Sequence, residues 1–156
     1  MYNHQPKDEP CTFCKFAHDG ETEYNKRSDI VFEDEKTIAF ISPKWWINNP
    51  GNVIVIPKKH FENIYDIPDA LFSHVHIVAK KIAIALKETY KCDGTSVRQH
   101  NEPAGNQDMW HFHVHVFPRY ENDELYKRHD EKKFVTVEER KPYAEKLKAY
   151  FASKKE

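Results

Sequence analysis

His111-Phe112-His113-Val114-His115-Val116-Phe117 is the stretch on which the reading of this chain turns. Imidazole and apolar side chains alternate along it, and side chains on a β-strand point to opposite faces with period two. The run therefore predicts a strand over residues 110–117, halted by Pro118, with three imidazoles on one face and Phe112, Val114 and Val116 turned to the core. Burying imidazole without hydrogen-bond partners is costly, so three in a row on one strand point to chemistry and away from packing. Two chemistries are open on the residues alone. Neutral imidazole attacks an electrophile at pH 7 without prior deprotonation. Alternatively, histidines two apart on a strand ligate zinc, and the triplet would then build a metallohydrolase centre. The strand holds no carboxylate to complete such a centre. The loop before it, Asn101-Glu102-Pro103-Ala104-Gly105-Asn106-Gln107, carries the small and amide residues that an anionic ligand needs.

Working outward, residues 94–100 read as another strand, joined to the triplet by the loop 101–108. Before it, Leu71, Val75, Val78, Ile82 and Leu86 recur at spacings of three and four, the stripe of a long helix that opens near residues 66–68. Val53-Ile54-Val55-Ile56 is a continuous apolar run, typical of a strand buried on both faces, and Pro57 ends it. Residues 43–51 form a loop carrying Trp45 and Trp46, which would either stack on a ligand or lie at a dimer edge. Residues 30–32 and 37–41 are short β-prone runs joined by a turn at 33–36. On the C-terminal side, 127–133 mixes charges and reads as a solvated segment. Thr136-Val137-Glu138-Glu139 has capping-box spacing ahead of a helix bearing Tyr143, Leu147, Tyr150 and Phe151 on one face, with Pro142 expected to kink or delay its first turn. Strands, then a helix, then strands, then a helix make an α+β pattern. The organisation expected is one domain over 1–156, with a loose polar arm at 1–10 and a C-terminal extension with its helix at 121–156.

Composition narrows the class. A chain of 156 residues with 39% hydrophobic content, ten Phe and eight Tyr can bury a core, which argues against disorder. A net charge of −1 offers no broad nucleic-acid surface, although a local basic pocket for a phosphate is compatible with it. No apolar run approaches the roughly 18 residues of a membrane span, and Met1 to Pro6 hold no apolar leader segment. Three cysteines make no disulfide framework and suit a reducing cytoplasm. Cys11 and Cys14 have the spacing of a zinc knuckle, and Cys92 reads as a small residue at a helix end.

In order along residues 11–120, the pair Cys11-Thr12-Phe13-Cys14, the segment Val53-Ile54-Val55-Ile56-Pro57-Lys58-Lys59-His60 and the triplet His111 to Phe117 resemble the histidine-triad (HIT) superfamily, in its zinc-bearing bacterial form. The resemblance implies an α+β HIT-like fold, an antiparallel sheet with one long helix and a C-terminal helix, and a homodimer across which the sheet continues. It implies a nucleotide hydrolase or nucleotidyltransferase acting on the α-phosphate of a dinucleoside polyphosphate or nucleoside phosphoramidate, through a nucleotidyl-histidine intermediate. His113 is then the nucleophile, and His115 donates to the non-bridging phosphate oxygens. Asn101 and Gln107 are amide candidates for orienting the same group. The resemblance also nominates His60 and His111 to complete, with Cys11 and Cys14, a structural zinc site, and no organic cofactor is implied. Phe13, Phe40 and Ile41 are candidate walls of a base pocket. Many members carry an Asp that holds a ribose hydroxyl where this chain has Ser42, a substrate-binding candidate that is uncharged but can still hydrogen-bond. The loop before the triplet reads Gly105-Asn106-Gln107-Asp108, and an acidic Asp108 beside a phosphate would have to point away or hold a histidine. His100 borders that loop, whereas His4, His18, His74, His76 and His129 read as surface residues. A non-catalytic nucleotide-binding or partner-binding module is the alternative to an enzyme.

Overall fold

The computed structural model describes residues 2–155, so Met1 of the arm and Glu156 of the C-terminal extension lie outside the described residues. Cys11 caps a first helix, α1 (Thr12–Asp19), which ends where Gly20 adopts a left-handed φ of 72° and returns its amide to Phe16 O at 2.8 Å. There follow β1 (Ile30–Glu33), β2 (Thr37–Ile41), a two-residue β3 (Lys44–Trp45), β4 (Val53–Pro57) and the long α2 (Asp69–Tyr90). The chain closes with β5 (Gly94–Arg98), β6 (Val114–Arg119), a two-residue β7 (Lys133–Phe134) and α3 (Val137–Ser153).

Five strands form one antiparallel sheet in the order β1-β2-β4-β6-β5. β4 lies near its centre and is buried along its whole length, as its unbroken apolar run requires. Period-two alternation divides the two faces. Ala39, Ile41, Val53, Val55, Val114 and Val116 pack against Val75, Val78, Ile82 and Leu86 of α2 and against Leu147 of α3. On the other face Ile38, Phe40, Ile54 and Ile56 pack against Phe13 and Phe16 of α1. The fold is α+β, as the element pattern implied.

Three local expectations are corrected. Residues 110–113 precede β6, because the amides of His111 and Phe112 bond to Met109 O (2.9 Å) and Phe61 O (2.6 Å) and not to a ladder partner. Pro118 does not halt β6, which runs on to Arg119. Its carbonyl accepts from Asn49 Nδ2 at 2.8 Å, so the edge lacking an N–H faces a region that β4, starting at Val53, does not reach. Pro142 does not delay α3, which starts at Val137 and is held there by reciprocal bonds between Thr136 and Glu139 at 3.2 and 2.7 Å.

The segment 43–51 is likewise more than a loop. β3 pairs with β7, which brings the mixed-charge stretch 127–133 back over the sheet. Behind it, Arg140 is 2% exposed and bonds Asp29 through Nε (2.9 Å) and Nη2 (3.0 Å), with Nη2 also donating to Tyr24 O. Asn25 donates to the same carboxylate at 2.9 Å. The C-terminal extension is thereby fastened to residues 22–29. A buried pair of this kind fixes geometry more surely than it adds stability, since removing one partner strands the other. At the N-terminal end, the amides of His4 and Gln5 each donate to Glu62 at 2.7 Å.

Candidate functional site

Cys11 sits at the N-cap of α1 and Cys14 one turn on, so the helix presents both thiols on one side. Facing them are His60, beyond the end of β4, and His111, ahead of β6. Cys11 Sγ lies 3.3 Å from His111 Nδ1, Cys14 Sγ 3.5 Å from the same atom, and Cys14 Sγ 3.2 Å from His60 Nδ1. All four ligand atoms lie within 4.8 Å of one another. A tetrahedral ion bound at the zinc–sulfur and zinc–nitrogen lengths sets sulfur–nitrogen edges of about 3.5 Å. The donor set fits such an ion. His111 Nε2 donates to Pro57 O at 2.9 Å, which leaves Nδ1 as the lone pair aimed at the thiols, the outer-shell bond expected of a metal-ligating histidine. Burial pushes His111 down to about 3, so it stays neutral. Burial, and then the Cys11 neighbour, pushes the Cys14 thiol up to about 12, a cost that a dication among the four would reverse.

His113 is 4% exposed. Its Nδ1 lies 2.7 Å from His111 O, and a carbonyl only accepts, so Nδ1 carries the proton and Nε2 holds the free lone pair. Burial lowers its proton affinity, keeping it neutral. Phe13 meets the ring edge-to-face at 5.4 Å and His115 at 4.9 Å, which fixes its plane. His115 stacks on Phe117 (5.5 Å, 18°), and its buried Nδ1 has no partner among the described residues. Burial and then the charges of His113, Arg98, His100 and Lys132 hold His115 well below the usual histidine range.

His113 and His115 line a cavity of about 740 Å³, within the usual range for a small-molecule site. Lys44, Arg98 and Lys132 line it too, against the single carboxylate of Asp108 at an exposed position. The balance favours an anionic guest.

The nominated residues do not all converge there. Phe13, Ser42 and Gln107 line the cavity. Gln107 has a spent amide, however: Oε1 accepts from Glu102 N (2.8 Å), and Nε2 donates to Glu62 O (2.6 Å) and Met109 O (3.0 Å). Asn101 is not on the wall; it accepts from Ile64 N and exchanges bonds with Gln99, bracing the loop. Phe40 lies one layer behind, fully buried against Phe13 and Phe16, and Ile41 faces α2 on the far side of the sheet. Ser42 Oγ donates to Lys44 O and accepts from Lys44 N. Trp46 reaches the wall, whereas Trp45 packs on Tyr143 in the core.

Beyond the nominated residues the wall holds Arg98, Lys44, Lys132, Tyr126 and Phe134, together with His129, which reads as a surface residue from the sequence. A signal for Arg98 existed, because period two puts it on the same face as His100, which did border the site. None existed for the others, which arrive through the pairing of β3 with β7.

Comparison with known proteins agrees with the triplet and the fold. The HIT domain family profile matches residues 23–122. An uncharacterised HIT-like protein of Methanocaldococcus jannaschii is 33% identical over 132 residues, covering 83% of this chain and 94% of its own. Among solved structures, a zinc-bound histidine triad family protein of Mycobacterium smegmatis superposes with a TM-score of 0.75 at 25% identity, over 92% of this chain and 94% of the other. A hypothetical histidine triad nucleotide-binding protein of Sulfolobus tokodaii gives 0.75 at 26% identity, over 92% and 93%.

Proposed function

The chain belongs to the HIT domain family, and on that premise we propose that it is a nucleotide hydrolase or nucleotidyltransferase working through His113. The observation that carries this reading is the 2.7 Å bond from His113 Nδ1 to His111 O, which leaves Nε2 unprotonated in a cavity lined by cations. In the first step the Nε2 lone pair forms a bond to the α-phosphorus, and the bond to the leaving group breaks with its electrons. In the second, water attacks the same phosphorus, the nitrogen–phosphorus bond breaks, and its electrons return to Nε2 as the water proton passes to solvent. His115 Nε2, as a donor, steadies the non-bridging oxygens during both steps. Phe13 holds the plane of the nucleophile, and Asn101 and Gln107 brace the loop that frames it.

We further propose that Cys11, Cys14, His60 and His111 hold a structural zinc, tying α1 to the catalytic segment. Four protein ligands leave no open position for substrate. Among the described residues the clustered metal-ligating set contains His111 but neither His113 nor His115, so the metallohydrolase alternative has no geometric support. The protein works as a homodimer in this reading, and its three unbridged thiols suit the cytoplasm.

The test is His113→Ala. Turnover should be abolished while nucleotide binding persists, because the lost interaction belongs to the transition state. His115→Ala should cost about 10²–10³ in rate. Two in-line displacements require retention at a chirally labelled phosphorus. Wild-type turnover by His113→Ala, or inversion, would refute the assignment.

A further inference from the structure

Arg98 pairs directly with His115 across β5 and β6, and His115 pairs with Ile54, which pairs with Phe40. The four form one cross-strand row on the face that carries the site, so Arg98 stands next to the third triad histidine. Its guanidinium lies 5.3 Å from the Phe117 ring, 5.5 Å from Tyr126 and 5.9 Å from Trp46. Aromatic faces hold a guanidinium in place without consuming its N–H donors. Among the described residues Arg98 makes no side-chain hydrogen bond and no ion pair, in contrast to Arg119 nearby, which is paired with Asp123 at 2.7 Å.

A second cation reaches the same place from the C-terminal extension. Lys132 Nζ sits 5.1 Å over the Trp46 ring and has one polar contact, His129 Nε2 at 3.2 Å. Lys132 is only partly exposed, and burial, then the charge of Lys44, lowers its proton affinity; Arg98 acts in the same sense, while Asp108 and Asp130 oppose it. Trp46 itself is 7% exposed, and among the described residues its buried indole N–H has no partner. Two cations without carboxylate partners and an orphaned buried donor, all on one wall beside His115, ask for an anion.

We propose that Arg98 and Lys132, with Trp46 beneath them, form a second anion subsite that receives a phosphate chain carried on the α-phosphate. The inference rests on the reading of His113 as nucleophile, and it names the substrate class that this reading left open. A phosphate chain presents negative charge where the two cations wait, and it leaves without needing a proton. The amine of a phosphoramidate presents no charge for them to meet. Selection between the two then comes from Arg98 on β5 and Lys132 on the C-terminal extension.

The experiment uses the full-length chain with Arg98→Gln, Lys132→Met and the double variant, each keeping an unbranched stem over Trp46. The readouts are kcat/KM for diadenosine triphosphate and for adenosine 5′-phosphoramidate, and calorimetric binding of inorganic tripolyphosphate. In the double variant the ratio of kcat/KM for the anhydride over the phosphoramidate should fall by about 100-fold, and tripolyphosphate affinity should fall with it. Equal losses on both substrates, or no loss on either, would overturn the subsite. If wild type turns over neither compound, or His113→Ala keeps turnover, the nucleophile reading fails. Tripolyphosphate then decides the subsite by itself, since binding by wild type that the double variant loses supports it and no binding by wild type sinks it. Thermal unfolding of each variant within a few degrees of wild type establishes that the fold is intact, and Arg98→Lys serves as the second variant if Arg98→Gln does not fold.

Discussion

Asp123→Asn should destabilise the protein by about 3 kcal/mol at neutral pH, and the hydrogen-bond geometry sets that figure. The carboxylate side chain is 2% exposed and takes five donors. Oδ2 accepts from Arg119 Nε (2.7 Å), Tyr120 N (3.0 Å) and Asn49 Nδ2 (2.8 Å), while Oδ1 accepts from Arg119 Nη2 (2.9 Å) and Leu125 N (3.1 Å). An asparagine does least damage with its Nδ2 in the Oδ1 position, where two donors then meet a donor. Bonds to a charged group are worth about 1.5–3 kcal/mol each. The loss is discounted because the Arg119 side chain is 24% exposed and regains water. With a urea m-value of about 2 kcal/mol/M, the midpoint should fall by about 1.5 M, and Tm by about 6–12 °C for a chain of this size. The pH dependence supplies a second check. The Arg119 hydrogen bond, first among the causes, holds Asp123 well below the usual carboxylate range. A depressed carboxylate contributes stability that is complete above its unfolded value of about 3.9 and is lost as pH falls through the folded value. The gap between wild type and Asp123→Asn should therefore be flat from pH 7 to about 5 and narrow below about 4. A midpoint shift under about 0.3 M, or a gap that widens in acid, would refute this account.

Protein purified without chelator should carry near-stoichiometric zinc; Cys14→Ala and His60→Ala should lose it and melt earlier, because metal binding at such a site is coupled to folding, whereas His113→Ala should keep it. Zinc that depends on His113 instead would disprove the ligand set. Light scattering at micromolar concentration should return twice the chain mass, and a single-chain mass would remove the homodimer.

What could be read from the sequence was what short-range periodicity encodes. The runs Val53 to Ile56 and Leu71 to Leu86 fold as a central strand and a long helix because burial on both faces, or along one stripe, leaves few alternatives. The capping box at Thr136 outweighed Pro142, since two reciprocal bonds set the start of α3 before proline is reached. α1 was missed although its signal was local. Phe13, Phe16 and Ala17 recur at helical spacing between the capping Cys11 and Gly20, in a run of only eight residues. The triplet was read correctly for its faces and wrongly for its strand, because the backbone of His111 and Phe112 bonds locally and alternation alone does not reveal that.

The site thus divides by the range of its encoding. The proposed nucleophile and three of the four proposed zinc ligands lie in two short motifs, His111-Phe112-His113 and Cys11-Thr12-Phe13-Cys14. Arg98 and Lys132 meet only because β5 pairs with β6 in one register and β7 returns to β3. Lys132 is next to no motif and reads as a solvated charge, and Arg98 is marked only by sharing a strand face with His100. A cation placed by tertiary pairing can change without disturbing the bond from His113 Nδ1 to the His111 carbonyl that prepares the proposed nucleophile. Substitutions that alter what this chain accepts are therefore expected on β5 and in the C-terminal extension, held in place by Asp29 and Arg140, and not within the triplet itself.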